Sequence, residues 1–300
     1  MGEAKVIGKA ENVWKQKVTL AEPVVSGGYR LELEDTMTMD LLTTPESDEW
    51  IRKVARAMRL RRGPAVEEIE AMRKIRASEH QGRRYGVMSL QSDGNGTHLV
   101  SGVSASSDQQ LTVREVWQSF YPFYQRLVRL GGLPLHSALV RRGARNVLLA
   151  APAGTGKSTC CRRLPVAWEA ISDEEVVLVP FSNGIWHAYP FPTWSDIVER
   201  QLDRRWDVKQ HFPVSAVFCL EQGEIDAVEP VGTGEAILFL TRRAREKCFP
   251  HDWSLERHEE RIFYGKAFEN VCTFATAVPA YKLTVSADGR FWEEMERMMD

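Results

Sequence analysis

A helical hydrophobic pattern stands out in the middle of the chain, over residues 112–130. Apolar side chains recur there every three or four residues, which is the spacing of a helix with one buried face. They are Val113, Val116, Trp117, Phe120, Phe123, Tyr124 and Leu127. Thr112 and Glu115 have the spacing of a capping box, and a Gly-Gly pair follows as a stop. We therefore predict a core helix over this range, kinked at Pro122 because proline removes a backbone donor.

Short apolar runs, separated by turns and helical stretches, follow this helix. Their length and composition are those of buried strands. The runs are 133–140, 146–150, 166–172, 176–179 and 236–240. The first two flank a basic turn, so we predict that they form a hairpin. The alternation of strands and helices favours an α/β fold class, with an N-terminal α+β module over 1–110 and a second domain over 111–300.

The composition limits the function more than the fold. The 300 residues are 43% hydrophobic and 27% charged, with 39 basic and 41 acidic side chains. The resulting net charge of −2 is typical of a globular protein and gives no general attraction to nucleic acid. Because no run approaches 18 apolar residues, we expect no membrane contact. Five cysteines without a C-x-x-C pair favour reduced thiols and a cytoplasmic protein.

The charge is unevenly distributed along the chain. Residues 51–84 contain eleven Lys or Arg and four Glu, a local net charge of +7. Such a run is most often a solvated helix face. The alternative is a docking surface for an acidic peptide or protein. Nucleic acid is a weaker alternative, because no helix-turn-helix or aromatic-interleaved pattern accompanies the charge.

The strongest chemical motif directly follows the apolar run 146–150. Residues 151–158, APAGTGKS, match the Walker A pattern except that Ala151 replaces the first glycine, a change that is tolerable if the position does not need a positive φ. Glycines let successive N–H groups in such a loop face phosphate oxygens, the lysine bridges the β- and γ-phosphates, and the next hydroxyl ligates Mg²⁺. A chance match is the alternative. We predict a site for ATP and Mg²⁺ formed by Gly154, Thr155, Gly156, Lys157, Ser158 and Thr159.

An acidic cluster, Asp173-Glu174-Glu175, begins sixteen residues beyond Lys157. It follows the predicted strand 166–172, which we expect to lie beside the strand that leads into the phosphate loop. Carboxylates in that place can hold Mg²⁺ or accept a proton from a hydroxyl group. A solvated acidic turn is the alternative. His136 lies 21 residues before Lys157, in the predicted strand 133–140.

The order of these motifs resembles the HPr kinase/phosphorylase superfamily of P-loop kinases. There, a histidine-bearing strand, a Walker A loop and an acidic pair follow one another, and the match covers about residues 133–179. Within the superfamily the chain is similar to the ScmC-type proteins of SynChlorMet peptide-modification cassettes, with softer matches at 192–195 and 278–292. The resemblance implies an HPr-kinase-like core, a general base at Asp173, a metal-binding acid at Glu174 where the family has Asp, and a phosphate-side histidine at His136.

These observations predict an ATP-dependent kinase that transfers phosphate to a hydroxyl of a peptide or protein, in ribosomal peptide modification. Lys157, Asp173 and His136 are the predicted catalytic residues, and Ser158 and Glu174 the predicted Mg²⁺ ligands. Two alternatives remain, and the altered motif positions, Ala151 and Glu174, motivate the first of them. One is a nucleotide-responsive peptide-binding module without phosphotransfer, and the other is a small-molecule kinase.

Two smaller features have more than one interpretation. Trp194 either belongs to a helix start capped by Thr193 and Asp196, or forms an aromatic wall in a loop over the nucleotide or the acceptor. A basic cluster follows the predicted strand 236–240, and one of its members could contact a transferring phosphoryl group. The sequence does not choose among its three members, Arg242, Arg243 and Arg245.

Overall fold

The computed structural model describes residues 27–33, 37–43, 48–63, 83–85, 88–92, 98–102, 112–113, 116–117, 120–248 and 257–299. The helices are α1 Asp48–Ala57, α2 Tyr121–Arg129, α3 Lys157–Arg163, α4 Trp194–Val198, α5 Thr233–Cys248, α6 Arg257–Ala277 and α7 Phe291–Met299. The strands are β1 Gly27–Leu33, β2 Met37–Thr43, β3 Arg61–Arg62, β4 Arg83–Tyr85, β5 Met88–Ser92, β6 His98–Gly102, β7 Leu133–Leu135, β8 Ser137–Arg142, β9 Arg145–Ala150, β10 Glu169–Ser172, β11 Glu175–Pro180, β12 Trp186–Phe191, β13 Phe212–Pro213, β14 Ala216–Gln222, β15 Ala227–Pro230 and β16 Ala280–Val285. Helices and sheets are combined throughout, so the predicted α/β class is confirmed.

Within the described ranges the strands form three sheets. Their orders are β3-β1-β2-β6-β5-β4, β10-β8-β9-β14-β16-β15 and β13-β12-β11-β7. In the second sheet β9, β14 and β16 are parallel, whereas β8 pairs antiparallel with β9. The predicted hairpin is therefore confirmed over β8 and β9, and it turns at Gly143, which has a φ of 59°.

The chain crosses between the second and third sheets at two places that carry predicted site residues. β7 belongs to the third sheet and β8 to the second, and His136 is the one residue between them. β10 belongs to the second sheet and β11 to the third, with Asp173 and Glu174 between them. Because β7 pairs with β11 and β8 pairs with β10, the two crossings are neighbours.

Three sequence-based expectations are wrong in detail. The strand predicted for 133–140 divides at His136, where the chain changes sheet. β10 lies beside β8 and not beside β9, because β8 occupies that place in the sheet. The run 236–240 is helical and belongs to α5. Its residues Ala236, Leu240 and Ala244 recur at helical spacing and are buried in one cluster.

The predicted core helix is buried as expected, but a new helix starts within its range. Residues 113, 116 and 117 are helical, the chain turns at residue 120, and α2 starts at Tyr121. Pro122 therefore lies in the first turn, where its missing donor is tolerated, and does not kink the middle of a helix. Glu115 of the predicted capping box lies outside the described residues. The stripe members in the core are Val116, Phe120, Phe123, Tyr124 and Leu127, with Val113 and Trp117 packed against it.

One hydrophobic cluster includes residues from both sides of the predicted boundary at residue 110. Leu31, Leu41 and Ile51 belong to it, together with Phe120 and Trp194. The two parts therefore bury apolar surface against each other, while the boundary itself remains a prediction. In the part of the chain that the structure describes, no helix is long and apolar enough to span a membrane.

Candidate active site

The predicted phosphate loop, residues 151–156, has the glycine conformations that its sequence predicts. Gly154 has a φ of 78° and Gly156 a φ of 110°, backbone angles that other residues rarely adopt. Ala151 is buried, and it is not among the described non-glycine residues with a positive φ. Alanine therefore fits the position of the first Walker A glycine without backbone strain.

Lys157 begins α3 and folds its side chain back over the loop. Its Nζ donates to the carbonyl oxygens of Ala151 and Pro152, at 2.9 and 3.2 Å. Burial, followed by the neighbouring positive charge of Lys247, lowers the pKa of Lys157 from 10.5 to about 8. The ammonium group is thus held at the loop, and a bound phosphate would favour its charged form.

The other predicted nucleotide-binding residues lie around Lys157. Gln222, at the end of β14, donates from Nε2 to the carbonyl oxygen of Thr155 at 3.0 Å and so ties the loop to the sheet. Ser158 is half-buried, and Thr159 is exposed. Arg162 donates to the hydroxyl of Thr159 at 3.1 Å. Gln222 therefore holds the loop at Thr155, and Arg162 holds the hydroxyl of Thr159 in α3.

His136 is buried at the first sheet crossing. Its Nδ1 lies 2.5 Å from Oε2 of Glu246, and its backbone N–H donates to the carbonyl oxygen of Arg243 at 3.3 Å. Burial holds the pKa of His136 below 6.5 despite the opposing effect of Glu246. The positive charges of Lys247 and Lys157 lower this pKa further. The imidazole is therefore neutral at pH 7, with one ring nitrogen committed to Glu246.

Arg243 is the buried member of the basic cluster on α5, whereas Arg242 and Arg245 are not buried. Its Nη2 lies 3.0 Å from Oε1 of Glu246, and its guanidinium lies over the ring of Phe239 at 5.3 Å. Nε and Nη1 of Arg243 are buried without a hydrogen-bond partner among the described residues. A guanidinium with two such unused donors is suited to binding an anion.

Glu174 and Glu175 share one buried cation, Lys247. Its Nζ lies 3.0 Å from Oε1 of Glu174 and 3.6 Å from Oε2 of Glu175. The same ammonium group lies 4.3 Å from the ring centre of Trp117. Glu175 is fully buried and accepts a hydrogen bond of 2.5 Å from the hydroxyl of Tyr124. Burial raises the pKa of Glu175, against the effects of Lys247 and Tyr124. Because Glu175 is fully buried, its contacts are with neighbouring side chains and not with solvent.

Asp173 is more accessible than Glu175 and has looser contacts. The hydroxyl of Thr193 donates to its Oδ1 at 2.6 Å, and Nη1 of Arg204 lies 3.9 Å from the same oxygen. Arg204 is itself paired with the buried Asp196. Both described contacts of Asp173 are with Oδ1, so Oδ2 is the oxygen offered to another group.

A family model covers most of the region described above. The model of the SynChlorMet cassette protein ScmC matches residues 99–300, about two thirds of the chain. The chain belongs to the ScmC family. The match includes every predicted site residue from His136 to Glu174, and it confirms the ScmC-type resemblance. A search of curated proteins finds no match to the chain.

In this member of the ScmC family, the two interpretations of Trp194 and its neighbours can be compared with the structure. Trp194 is buried and stacks on Phe120, with ring centres 5.3 Å apart, so the aromatic wall over a nucleotide is wrong. Thr193 does precede the helix, but its side chain makes no capping hydrogen bond. The hydroxyl binds Asp173 instead, a contact that the capping interpretation did not include.

Glu246 and Lys247 were not singled out from the sequence. Together with Arg243 they occupy positions i, i+3 and i+4 of α5, which lie on one face of a helix. The sequence contained this signal, because the three charged residues have the spacing of one helix face. It was missed because 236–240 was predicted to be a strand, so no helix was predicted to continue through residues 243–247 and bring them to one face.

The residues predicted to hold Mg²⁺ have suitable chemistry. Ser158 supplies a hydroxyl and Glu174 a carboxylate, and Mg²⁺ prefers oxygen ligands. Lys247 binds Oε1 of Glu174, and a carboxylate has a second oxygen for a metal. No group of three or more His, Cys, Asp and Glu side chains within the described ranges could hold a metal. The oxygen atoms of these two residues are of the type that Mg²⁺ prefers, and the magnesium site itself stays a prediction.

Proposed function

We propose that this ScmC protein is an HPr-kinase-like P-loop enzyme, which uses ATP and Mg²⁺ to phosphorylate a hydroxyl of a peptide or protein in ribosomal peptide modification. The proposal rests mainly on one observation: the two sheet crossings lie close to the predicted phosphate loop. His136 lies in the first crossing, and Asp173 and Glu174 lie in the second. The charges of Glu246, Glu174 and Arg243 all act on Lys157, which supports one continuous site.

The proposed reaction is a single phosphoryl transfer. Asp173 accepts the proton of the acceptor hydroxyl, whose oxygen forms a bond to the γ-phosphorus while the bond to the β–γ bridging oxygen breaks and releases ADP. Lys157 holds the β- and γ-phosphate oxygens. Ser158 and Glu174 would hold Mg²⁺, which supplies neutralisation of the phosphate charge.

Arg243 is the arginine that we assign to the transferring group. Its free donors, Nε and Nη1, can neutralise charge on the γ-phosphoryl oxygens as that charge redistributes. Their burial strengthens the interaction, because little water competes for them. Replacing Arg243 by Met should lower kcat about 10²- to 10³-fold, the range typical of a lost transition-state donor.

His136 is the third of the predicted catalytic residues, after Asp173 and Lys157. The neutral ring, held at Nδ1 by Glu246, offers Nε2 to a partner. Negative charge on a bound phosphate raises the pKa of the imidazole. The ring can then take up a proton at Nε2 and donate a hydrogen bond to a phosphate oxygen.

We further propose that the acceptor is an acidic peptide or protein, and not a nucleic acid, that docks on the basic face of α1 and β3. An ion pair of 2.8 Å between Arg56 and Asp203 joins this face to the segment that contains Arg204, next to Asp173. The contacts therefore lead from the basic face towards the proposed general base. Residues 64–82 of the basic segment lie outside the described residues. The exposed cations of the face are Arg52, Lys53, Arg56, Arg59, Arg61 and Arg62.

The cytoplasm is the compartment that we propose for this reaction. Four described cysteines, Cys160, Cys161, Cys219 and Cys272, are free thiols. Burial raises the pKa of the Cys160 thiol to about 11, which keeps it protonated and unreactive. Unpaired thiols persist in a reducing compartment.

The test is a phosphotransfer assay with the full chain, Mg·ATP and the peptide encoded beside its gene. We expect a phosphate mass shift on the peptide that Lys157→Ala and Asp173→Asn abolish. Glu269→Gln, at an exposed acid paired with Lys266, is the matched control and should leave the shift unchanged. A shift that persists in both site variants would contradict the proposal. Release of ADP with small alcohols and not with the peptide would favour a small-molecule kinase.

A nucleotide-responsive binding module is the second candidate, and the contacts of the two carboxylates, Asp173 and Glu174, favour it. Lys247 binds one oxygen of Glu174, and Thr193 binds one oxygen of Asp173. Under this hypothesis ATP changes the affinity for the peptide but is not consumed. Peptide binding that depends on nucleotide, without formation of ADP, would support the module. Formation of ADP coupled to phosphopeptide would exclude it.

A further inference from the structure

We infer that Glu246 is a positioning residue, which orients His136 and Arg243 together beside the phosphate loop. Its two carboxylate oxygens serve the two groups separately. The catalytic consequence rests on the proposed function, whereas the orientation of the two groups does not. Glu246 belongs to none of the motifs that indicated the site.

Glu246 reaches from a partly exposed position to two buried groups. Its side chain is 33% exposed, compared with 10% for His136 and 8% for Arg243. Oε2 lies 2.5 Å from Nδ1 of His136, and Oε1 lies 3.0 Å from Nη2 of Arg243. Since the carboxylate can make both contacts at once, it fixes the imidazole and the guanidinium relative to each other.

The contact with Glu246 determines which nitrogen of His136 carries the proton. An ionised carboxylate only accepts hydrogen bonds, so Nδ1 of the neutral ring must carry the hydrogen and Nε2 the lone pair. The other charges that act on the ring, from Lys247 and Lys157, are positive and favour neither nitrogen by hydrogen bonding. Glu246 therefore directs any proton exchange of His136 to Nε2.

The same carboxylate determines the orientation of Arg243. Because Nη2 is engaged by Glu246, the donors left over are Nε and Nη1, both buried and without a partner in the described part of the chain. The two residues are one turn apart on α5, and the carbonyl oxygen of Arg243 accepts the backbone N–H of His136. Backbone and side-chain contacts thus connect α5 to the first sheet crossing.

The first experiment determines the tautomer of His136 in the nucleotide-free full chain. Long-range ¹H–¹⁵N correlations of ¹⁵N-labelled protein distinguish the two tautomers, and the signal missing from His136→Gln assigns the ring. We expect the Nδ1–H tautomer in the wild type, a mixture in Glu246→Ala, and the Nε2–H tautomer in Glu246→Gln. Nη2 of Arg243 can only donate and takes the amide oxygen of the glutamine, which leaves the amide NH₂ to donate to Nδ1. An Nε2–H tautomer in the wild type, or no change in Glu246→Ala, would overturn the inference.

The second experiment measures phosphotransfer by the same variants. In Glu246→Ala we expect kcat to fall about 10- to 100-fold, as for other residues that orient a functional group, with the KM for the acceptor unchanged. Glu246→Gln should recover part of this loss, because its amide oxygen still holds the guanidinium of Arg243, although its NH₂ group reverses the tautomer of His136. Equal losses in the two variants would contradict a positioning role. Glu269→Gln, on α6, is the control for a change of net charge.

The two experiments separate this inference from the proposed function. If the wild type forms no phosphopeptide, the proposed function fails, and the tautomer still decides the role of Glu246. If the wild type is active and its tautomer does not depend on Glu246, the inference fails and the function stands. Should Glu246→Ala not fold, the tautomers of the wild type and of Glu246→Gln remain decisive.

Discussion

The charges around the phosphate loop and those on the basic face of α1 and β3 occupy opposite environments. The loop cluster consists of buried side chains: His136, Lys157, Glu175, Arg243 and Lys247. The face consists of exposed ones. In the cluster, burial is the largest cause of the lowered pKa values of Lys157 and His136 and of the raised pKa of Glu175. On the face, water and salt screen each charge.

This difference indicates a division of tasks. A buried charge interacts strongly over a short range, because little water weakens its field. It is therefore suited to holding a phosphate group in one geometry. An exposed charge interacts weakly and over a longer range, in a manner sensitive to salt, and is suited to attracting a partner. Four predictions, in order of decreasing effect, test the contrast.

Removing the charge of Lys157 should give the largest effect. In Lys157→Met we expect nucleotide affinity to fall at least about 100-fold, because the buried ammonium group at the loop is lost. Isothermal titration with a non-hydrolysable ATP analogue measures this change. Lys266→Met, at an exposed lysine of α6, should bind as the wild type does. An unchanged affinity in Lys157→Met would break the assignment of the cluster to phosphate.

Removing one hydroxyl beneath the cluster should lower stability. Tyr124→Phe removes the hydroxyl that donates to the buried carboxylate of Glu175 and should cost about 1–3 kcal/mol in the free energy of unfolding. Urea denaturation measures the loss. In a Glu175→Gln background the same substitution should cost less, because a neutral amide is less expensive to leave unpaired. Equal losses in both backgrounds would show that the charge of Glu175 is not what Tyr124 stabilises.

The pH dependence of nucleotide binding should follow Lys157. Phosphate binds the ammonium form, and the pKa of this lysine in the free protein is about 8. The proton is therefore lost as the pH rises through 8, and affinity should be about tenfold weaker at pH 9 than at pH 7. Titrations at constant ionic strength measure the slope. A dissociation constant that stays flat between pH 7 and 9 would contradict this role.

Changes on the exposed face should have the smallest effect. Arg56→Ala removes an ion pair with Asp203 whose two side chains are both 61% exposed, so we expect no change in the thermal midpoint. For an acidic peptide acceptor we expect an increase in KM of about two- to fivefold at low salt, which disappears at high salt. An effect that persists at high salt would show that this face does not act through screened charge.

Parts of the site were predictable because they depend on neighbouring residues. The positive φ angles of Gly154 and Gly156 follow from a loop that must turn its N–H groups inwards, and the motif spacing places Lys157 directly after it. The burial of the stripe that contains Phe120 followed from its helical period. The sheet change at His136 was not predictable, because a continuous apolar run carries no sign of which sheet each half will join.

By itself, the sequence determined the glycine conformations of the predicted phosphate loop, the order of the candidate site residues and the burial of the amphipathic helical stripe. These features are local, since they depend on backbone angles and on spacings of a few residues. Only the tertiary structure decided that Arg243, Glu246 and Lys247 complete the candidate site. Glu246 is 110 residues away from His136, and their contact depends on the register of α5 and on two sheet crossings. No local pattern encodes which distant elements will meet, because burial of the whole core selects that arrangement.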